Sequence, residues 1–205
     1  MGKVIVSEFL TLDGVMQAPG GSEEDTRGGF EHGGWQMDLF DDALGAFVMG
    51  GIAEAGGLLL GRRTYEIFAA HWPNQPEDDP LAPTLNKLPK YVASRTLEAP
   101  LEWENSTLLE GEVTDAVSKL REQPGGDLLV IGSGDFAKTL IQNDLVDTYQ
   151  LMLHPLILGS GKRLFRTDGN MRRQFKLVQS ETTPNGILIL IYEPAAEEPA
   201  GGGRE

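Results

Sequence analysis

Leu128-Leu129-Val130-Ile131-Gly132-Ser133-Gly134-Asp135-Phe136-Ala137 decides how the chain is built. Four successive apolar residues are too few for a helix and suit a strand buried on both faces. Gly132-Ser133-Gly134 breaks the run. Beyond it, Phe136, Leu140 and Ile141 recur at helical spacing. A buried strand turning directly into a helix is the unit of an α/β fold with a parallel sheet.

The same punctuation recurs upstream. Residues 3–10 read as a first strand, Leu58-Leu59-Leu60 closed by Gly61 as a second, and Tyr91-Val92-Ala93 as a third. Between them, a helix is expected from Asp38, with Phe40, Leu44, Phe47, Val48 and Ile52 on one face, ended by Gly56-Gly57. A short helix is expected around Thr64–Ala70. Thr114 is the expected N-cap of a helix running to Glu122. Gly20 to Gly34 and the Pro-rich 73–89 read as loops. Downstream the pattern turns to β: residues 146–154 form a strand, and residues 174–181 and 186–193 flank the turn sequence Thr183-Pro184-Asn185-Gly186. The expectation is one α/β domain over residues 1–194, with a mixed, mostly parallel sheet, a C-terminal antiparallel hairpin and helices on both faces. Residues 195–205, all Ala, Glu, Pro, Gly or Arg, are expected to be a disordered tail.

Composition narrows the chemistry. The 205 residues are 40% hydrophobic and 23% charged, a globular balance. A domain of this size buries roughly 70% of its unfolded surface and needs no staple. Cysteine is absent, which excludes disulfides, thiolate metal sites and thiol nucleophiles. His32, His71 and His154 are too far apart in sequence for a histidine metal motif, so no metal is expected. Seventeen Lys and Arg against 31 Asp and Glu give a net charge of −14, which repels phosphate backbones and anionic lipid. No apolar run reaches the length of a membrane span, and Glu8 and Asp13 interrupt the N-terminal apolar stretch before a signal core could form. A cytoplasmic protein with a small-molecule partner, and neither nucleic acid nor membrane, is the expectation.

The acidity is unevenly spread. Residues 1–56 hold ten acids and two bases, a net −8; residues 193–205 hold four acids and one base, a net −3. The span 57–192, with 17 acids and 14 bases, is close to balance.

Strand ends in that balanced span carry phosphate-directed chemistry. Gly132-Ser133-Gly134-Asp135-Phe136-Ala137 fits G-x-G-x-x-A between strand and helix, where backbone N–H groups approach an anion at a helix N-terminus. The turn serves equally as a tight connection without a ligand. It stands too late in the chain, with no acid at the end of the next strand, for a Rossmann domain. Gly61-Arg62-Arg63-Thr64 and Ser94-Arg95-Thr96 follow two other strands, and arginine with Ser or Thr there suits a phosphomonoester. Those arginines could instead pair with surface acids. Gly159-Ser160-Gly161-Lys162 is not a P-loop, because Leu156 and Arg163 occupy positions that motif reserves for Gly and Ser/Thr. No nucleophile elbow or catalytic triad can be assembled. Asp13, in a Gly-containing turn after the first strand, is either an Asx-turn residue or a catalytic or substrate-binding acid. Asp38 is a second candidate acid, and Trp35, ending the glycine-rich loop, is the tryptophan most suited to face a ligand.

Taken in order, Thr11-Leu12-Asp13-Gly14-Val15, Leu59-Leu60-Gly61-Arg62-Arg63-Thr64-Tyr65, Tyr91-Val92-Ala93-Ser94-Arg95-Thr96-Leu97, Leu128 to Gly134 and Pro155 to Phe165 resemble the dihydrofolate reductase superfamily. The chain is most similar to the reductase domain of the bifunctional riboflavin-biosynthesis deaminase/reductase and its stand-alone homologues. The resemblance implies a dihydrofolate-reductase-like three-layer fold, a homodimer, and NADPH as hydride donor. It puts Arg62, Ser94 and Arg95 on the 2′-phosphate, Thr64 and the Gly132–Phe136 turn on the pyrophosphate, and residues 12–16 beside nicotinamide and substrate. With Gly61, Arg63 and Thr96 these form the expected cofactor set. Asp13 matches the acid of the family's Leu-Asp-Gly segment. Trp35-Gln36-Met37-Asp38-Leu39-Phe40-Asp41 lacks the proline of the folate enzymes' Trp-x-x-Pro-x-acid, so the substrate side does not carry over. The implied activity is reduction of a small heterocyclic or imine/carbonyl compound, pyrimidine- or pterin-like. A catalytically silent nucleotide-binding protein and an acidic scaffold are the alternatives.

Overall fold

Leu58 and Leu60 face one layer of helices, and Leu59 between them faces the other. All three are fully buried. This explains why the strands read as continuous apolar runs: both faces of the sheet are covered. The computed structural model describes residues 1–165 and 172–195; the expected tail from 196 onward lies outside them.

The strands are β1 (Val4–Thr11), β2 (Gly57–Gly61), β3 (Lys90–Ala93), β4 (Ser106–Leu108), β5 (Leu128–Ile131), β6 (Thr148–His154), β7 (Phe175–Thr182) and β8 (Leu188–Pro194). They form one sheet in the order β4-β3-β2-β5-β1-β6-β8-β7. Pairing is parallel from β4 to β6 and antiparallel for β6-β8 and β8-β7. The helices are α1 (Asp42–Glu54), α2 (Arg62–His71), α3 (Ala82–Lys87), α4 (Val113–Glu122) and α5 (Gly134–Gln142). Ile52 of α1, Tyr65 of α2 and Leu85 of α3 pack with Leu58, Leu60, Val92 and Leu129 on one face. Val117 of α4 and Phe136, Leu140 and Ile141 of α5 pack with Val4, Val6, Leu59 and Val130 on the other. The fold is the three-layer α/β arrangement expected, with the antiparallel hairpin at its C-terminal edge.

Four expectations need correction. The helix expected from Asp38 begins at Asp42, because the Asp41 carboxylate accepts from the Leu44 N–H (2.9 Å) as its N-cap. Met37–Leu39 is a separate 3₁₀ turn, and Phe40 is exposed rather than core. The 73–89 stretch is not all loop. It contains α3, where a proline near the first turn costs nothing and Asp79 accepts from the Leu81 and Ala82 N–H groups. The N-cap of helix α4 is Glu112, two residues before the expected Thr114. Strand β4 was not anticipated; three residues on a sheet edge carry too little pattern to read.

The buried Lys90 of β3 shows how the sheet accommodates a cation. Its ammonium donates to the Leu85 and Asn86 carbonyls (2.9 and 2.8 Å) at the end of α3 and lies 4.1 Å from the Trp103 ring. Burial still pulls it down to about 8.

Leu59 is enclosed by β2's neighbours and the α4–α5 layer. Leu59→Ala is expected to cost about 3 kcal/mol of unfolding free energy, the usual cost of a buried leucine cavity. Urea denaturation should show the midpoint falling with the slope unchanged.

Candidate active site

Parallel pairing brings the C-terminal ends of β1, β2, β3 and β5 to one edge of the sheet. A cleft of about 2250 Å³ opens along that edge. It is larger than the roughly 300–1,000 Å³ of a single small-ligand pocket.

One wall is made by two strand-to-helix turns clamped to each other. The Gly61 N–H donates to Ser133 Oγ (2.8 Å), and the Ser133 N–H donates to Thr64 Oγ1 (2.9 Å). Gly132 and Ser133 both adopt left-handed backbone conformations, φ +63° and +61°. Only glycine fits at 132, because a Cβ there would meet Thr64 Oγ1 at 3.3 Å. The first turns of α2 and α5 therefore stand side by side, and helix geometry leaves their leading N–H groups without intrahelical acceptors. Helix α2 starts earlier than expected, so Arg62, Arg63 and Thr64 form its first turn. Arg62 pairs with Glu66 one turn on (3.0 Å). Arg63 and Arg95 are exposed and make no ion pair among the described residues. Ser94 Oγ accepts from the Thr96 and Leu97 N–H groups (3.1 and 2.9 Å), which turns the chain sharply after β3.

All of Gly61, Arg62, Arg63, Thr64, Ser94, Arg95, Thr96, Gly132, Ser133, Gly134, Asp135 and Phe136 line this cleft. The residues nominated for the substrate side do not. Asp13 is tied into the scaffold: it accepts from Thr11 Oγ1 (2.6 Å), Leu158 N–H (3.3 Å) and Gly159 N–H (2.9 Å) and pairs with Arg163 (3.3 Å). Those bonds hold its carboxyl below the ordinary range although desolvation opposes them. Trp35 donates its indole N–H to the Gln17 carbonyl (2.7 Å) and stands edge-on to His154, supporting the loop from behind. Asp38 is exposed on its 3₁₀ turn while Met37 and Phe40 beside it line the cleft. Of residues 12–16, Met16 reaches the lining, against Gly134.

The cleft is also lined by Glu8 of β1, with Gln17, Glu24 and Gln36 of the long loop. Glu8 shares its sheet face with Val4, Val6 and Leu10 and is only 3% exposed. Its Oε1 has no hydrogen-bond partner. Burial pushes its carboxyl well above the usual range; the Gly132 N–H opposes that rise and Glu24 adds to it. The sequence held a signal here, a lone acid in an inward-facing apolar row.

The loop is fastened by Asp25, which pairs with Arg27 and with Lys162 (2.7 Å). Gly161 must be glycine, since a Cβ would stand 2.7 Å from Val15 Cγ1. Gly159-Ser160-Gly161-Lys162 is thus a packing and anchoring segment. Among the described residues no group of three or more His, Asp or Glu is placed to hold a metal ion, and no helix is long and apolar enough to cross a membrane.

Residues 2–189 match the RibD C-terminal domain. The chain belongs to that family. It is 30% identical over 194 residues to the uncharacterized protein YyaP of Bacillus subtilis, covering 93% of this chain and 94% of the relative. Among solved structures it is similar to a putative riboflavin biosynthesis protein from Shewanella sp. PV-4 (21% identity, TM-score 0.71, 96% and 100% of the two chains). A pyrimidine reductase-like protein from Corynebacterium diphtheriae matches at 12% identity and TM-score 0.64, over 96% and 93%. Acinetobacter baumannii RibD matches at 16% and 0.61, over 96% of this chain and 59% of that one. These neighbours share the dihydrofolate-reductase-like fold.

Loop anchoring by Asp25 has a definite pH signature. Desolvation works against ionisation, but Arg27 and Lys162 outweigh it and hold Asp25 down at about 2. A lowered carboxyl stabilises the fold above its unfolded value, near 3.9, and loses that contribution as pH falls toward 2. Asp25→Asn is expected to lower stability at pH 7 by on the order of 1–2 kcal/mol, discounted for partial exposure, and to flatten the loss between pH 4 and 2. Thermal unfolding across that range measures both.

Proposed function

We propose that this member of the RibD C-terminal domain family is an NADPH-dependent reductase. It passes a hydride to a small heterocyclic or imine/carbonyl substrate, pyrimidine- or pterin-like. The observation that carries this reading is the convergence, on one cleft edge, of two clamped helix N-termini with Arg62, Arg63 and Arg95. That donor set fits the group. The Gly132–Phe136 turn and Thr64 would hold the pyrophosphate, and Arg62, Ser94 and Arg95 the 2′-phosphate. NADPH supplies the hydride when bound; the protein's part is to align it, exclude water and provide polar contacts for the acceptor.

The charge distribution supports a small-molecule ligand and a cytoplasmic setting, since the net −14 disfavours nucleic acid while the span carrying the arginines is nearly balanced. We extend the proposal to a homodimer. Among the described residues strand β7 is one of the sheet's two edges, with Leu177 and Val178 about half exposed. Light scattering should give twice the chain mass for the native protein and the single mass for Val178→Asp.

Titration of NADPH and NADH, followed by nicotinamide fluorescence, tests the cofactor. Arg95→Ala is expected to weaken NADPH about 10- to 100-fold, the range of one or two charge-assisted hydrogen bonds, and to leave NADH nearly unchanged. Equal losses for both would reject the 2′-phosphate assignment. Binding of NADPH without its oxidation across pterins, pyrimidines and imines would favour the silent binding protein.

A further inference from the structure

Three carboxyl or amide side chains on the substrate side of the cleft form a group that the reading above does not use. Glu8 is buried within the row Val4, Val6, Glu8, Leu10, and its Oε1 lacks a partner. Gln36 is 8% exposed and its Oε1 is likewise unpartnered. Glu24 joins them. It accepts from the Gly20 and Gly21 N–H groups (2.7 and 3.2 Å), and a Cβ placed on Gly20 would lie 3.2 Å from its Oε2 and 3.9 Å from Gln36 Nε2. Unsatisfied polar atoms cost roughly 1–3 kcal/mol each when buried, so two in one cleft wall point to a ligand that completes them.

We propose that Glu8, buried in the cleft wall with its Oε1 unpartnered, is the proton donor to the substrate, and that Gln36 Oε1 accepts a neighbouring ring N–H. This rests on the reductase reading and narrows its substrate to a planar ring with a C=N nitrogen close to an N–H. Among the described residues no cation pairs with Glu8. Leu151 opposes it from β6, Glu24 faces it from the loop, and the Gly132 N–H is its one nearby polar counterweight. Burial also raises Glu24, and negative charge on Glu24 favours the protonated form of Glu8. When the C=N carbon accepts hydride from the reduced nicotinamide, the π pair passes to nitrogen. Nitrogen takes the proton from the Glu8 O–H, and Glu8 becomes a carboxylate that water reprotonates. The ring gains two hydrogens and the nicotinamide is oxidised. Asp13 and Asp38 are placed for neither step.

Infrared difference spectroscopy of the native protein against Glu8→Gln, in deuterated buffer at pH 7, reads the proton directly. A protonated-carboxyl C=O band present in the native protein and absent from Glu8→Gln is expected; its absence from the native protein overturns the proposal. Binding is read by titrating 4-pyrimidinone and its N3-methyl derivative into protein saturated with NADP⁺. The methyl derivative should bind about ten-fold more weakly, one hydrogen bond's loss, and Glu8→Leu should lose about ten-fold for 4-pyrimidinone with NADPH affinity within about two-fold of native. Equal binding by native and Glu8→Leu, or no 4-pyrimidinone binding by a native protein that binds NADPH, overturns it. Failure of native protein to bind NADPH at all overturns the reductase reading and the proton delivery with it, whereas the infrared band reports on Glu8 alone.

Discussion

Two hydrogen bonds across the sheet's C-terminal edge, Gly61 N–H to Ser133 Oγ and Ser133 N–H to Thr64 Oγ1, fix everything built on that edge. They join β2–α2 to β5–α5 and set the two helix N-termini side by side. The left-handed Gly132 and Ser133 are the conformational cost of making the turn that tight. Parallel pairing brings the arginine-bearing segments after β2 and β3 to the same edge, and the clamp holds the glycine turn after β5 against the first of them.

The other wall depends on a different device. The 12–36 loop is drawn back over the sheet by contacts to residues far along the chain: Asp13 to Leu158, Gly159 and Arg163, Gln17 to the Lys162 N–H, and Asp25 to Lys162. These place Gln36 and Glu24 in the lining of the same cleft. They also account for part of the acid content of the N-terminal quarter: Asp13 and Asp25 anchor the loop, Asp41 caps α1, and Glu8 is buried in the sheet face.

Much of this was legible in the sequence because it is local. Apolar runs located β1, β2, β3 and β5, two of them closed by glycine, since both faces of each strand are covered. That the residues expected to hold the cofactor line one cleft was legible for the same reason, each following a strand directly. The substrate side was not. Whether Asp13 faces a ligand or a neighbouring loop turns on bonds to residues some 145 positions away, and sequence spacing says nothing about them. Trp35 and Asp38 lie outside the cleft lining likewise: the loop's return path half-buries one against His154 and turns the other to solvent. Glu8 was readable in principle, as the acid in the row Val4, Val6, Glu8, Leu10, but its significance comes only from the partner it lacks.

The central claim is that the clamped edge binds a dinucleotide phosphate. Amide chemical-shift mapping with NADPH tests it most directly. The account predicts the largest shifts at Gly61–Thr64, Ser94–Thr96 and Gly132–Phe136, with β7 silent. Shifts centred elsewhere, or none at saturating NADPH, would contradict it.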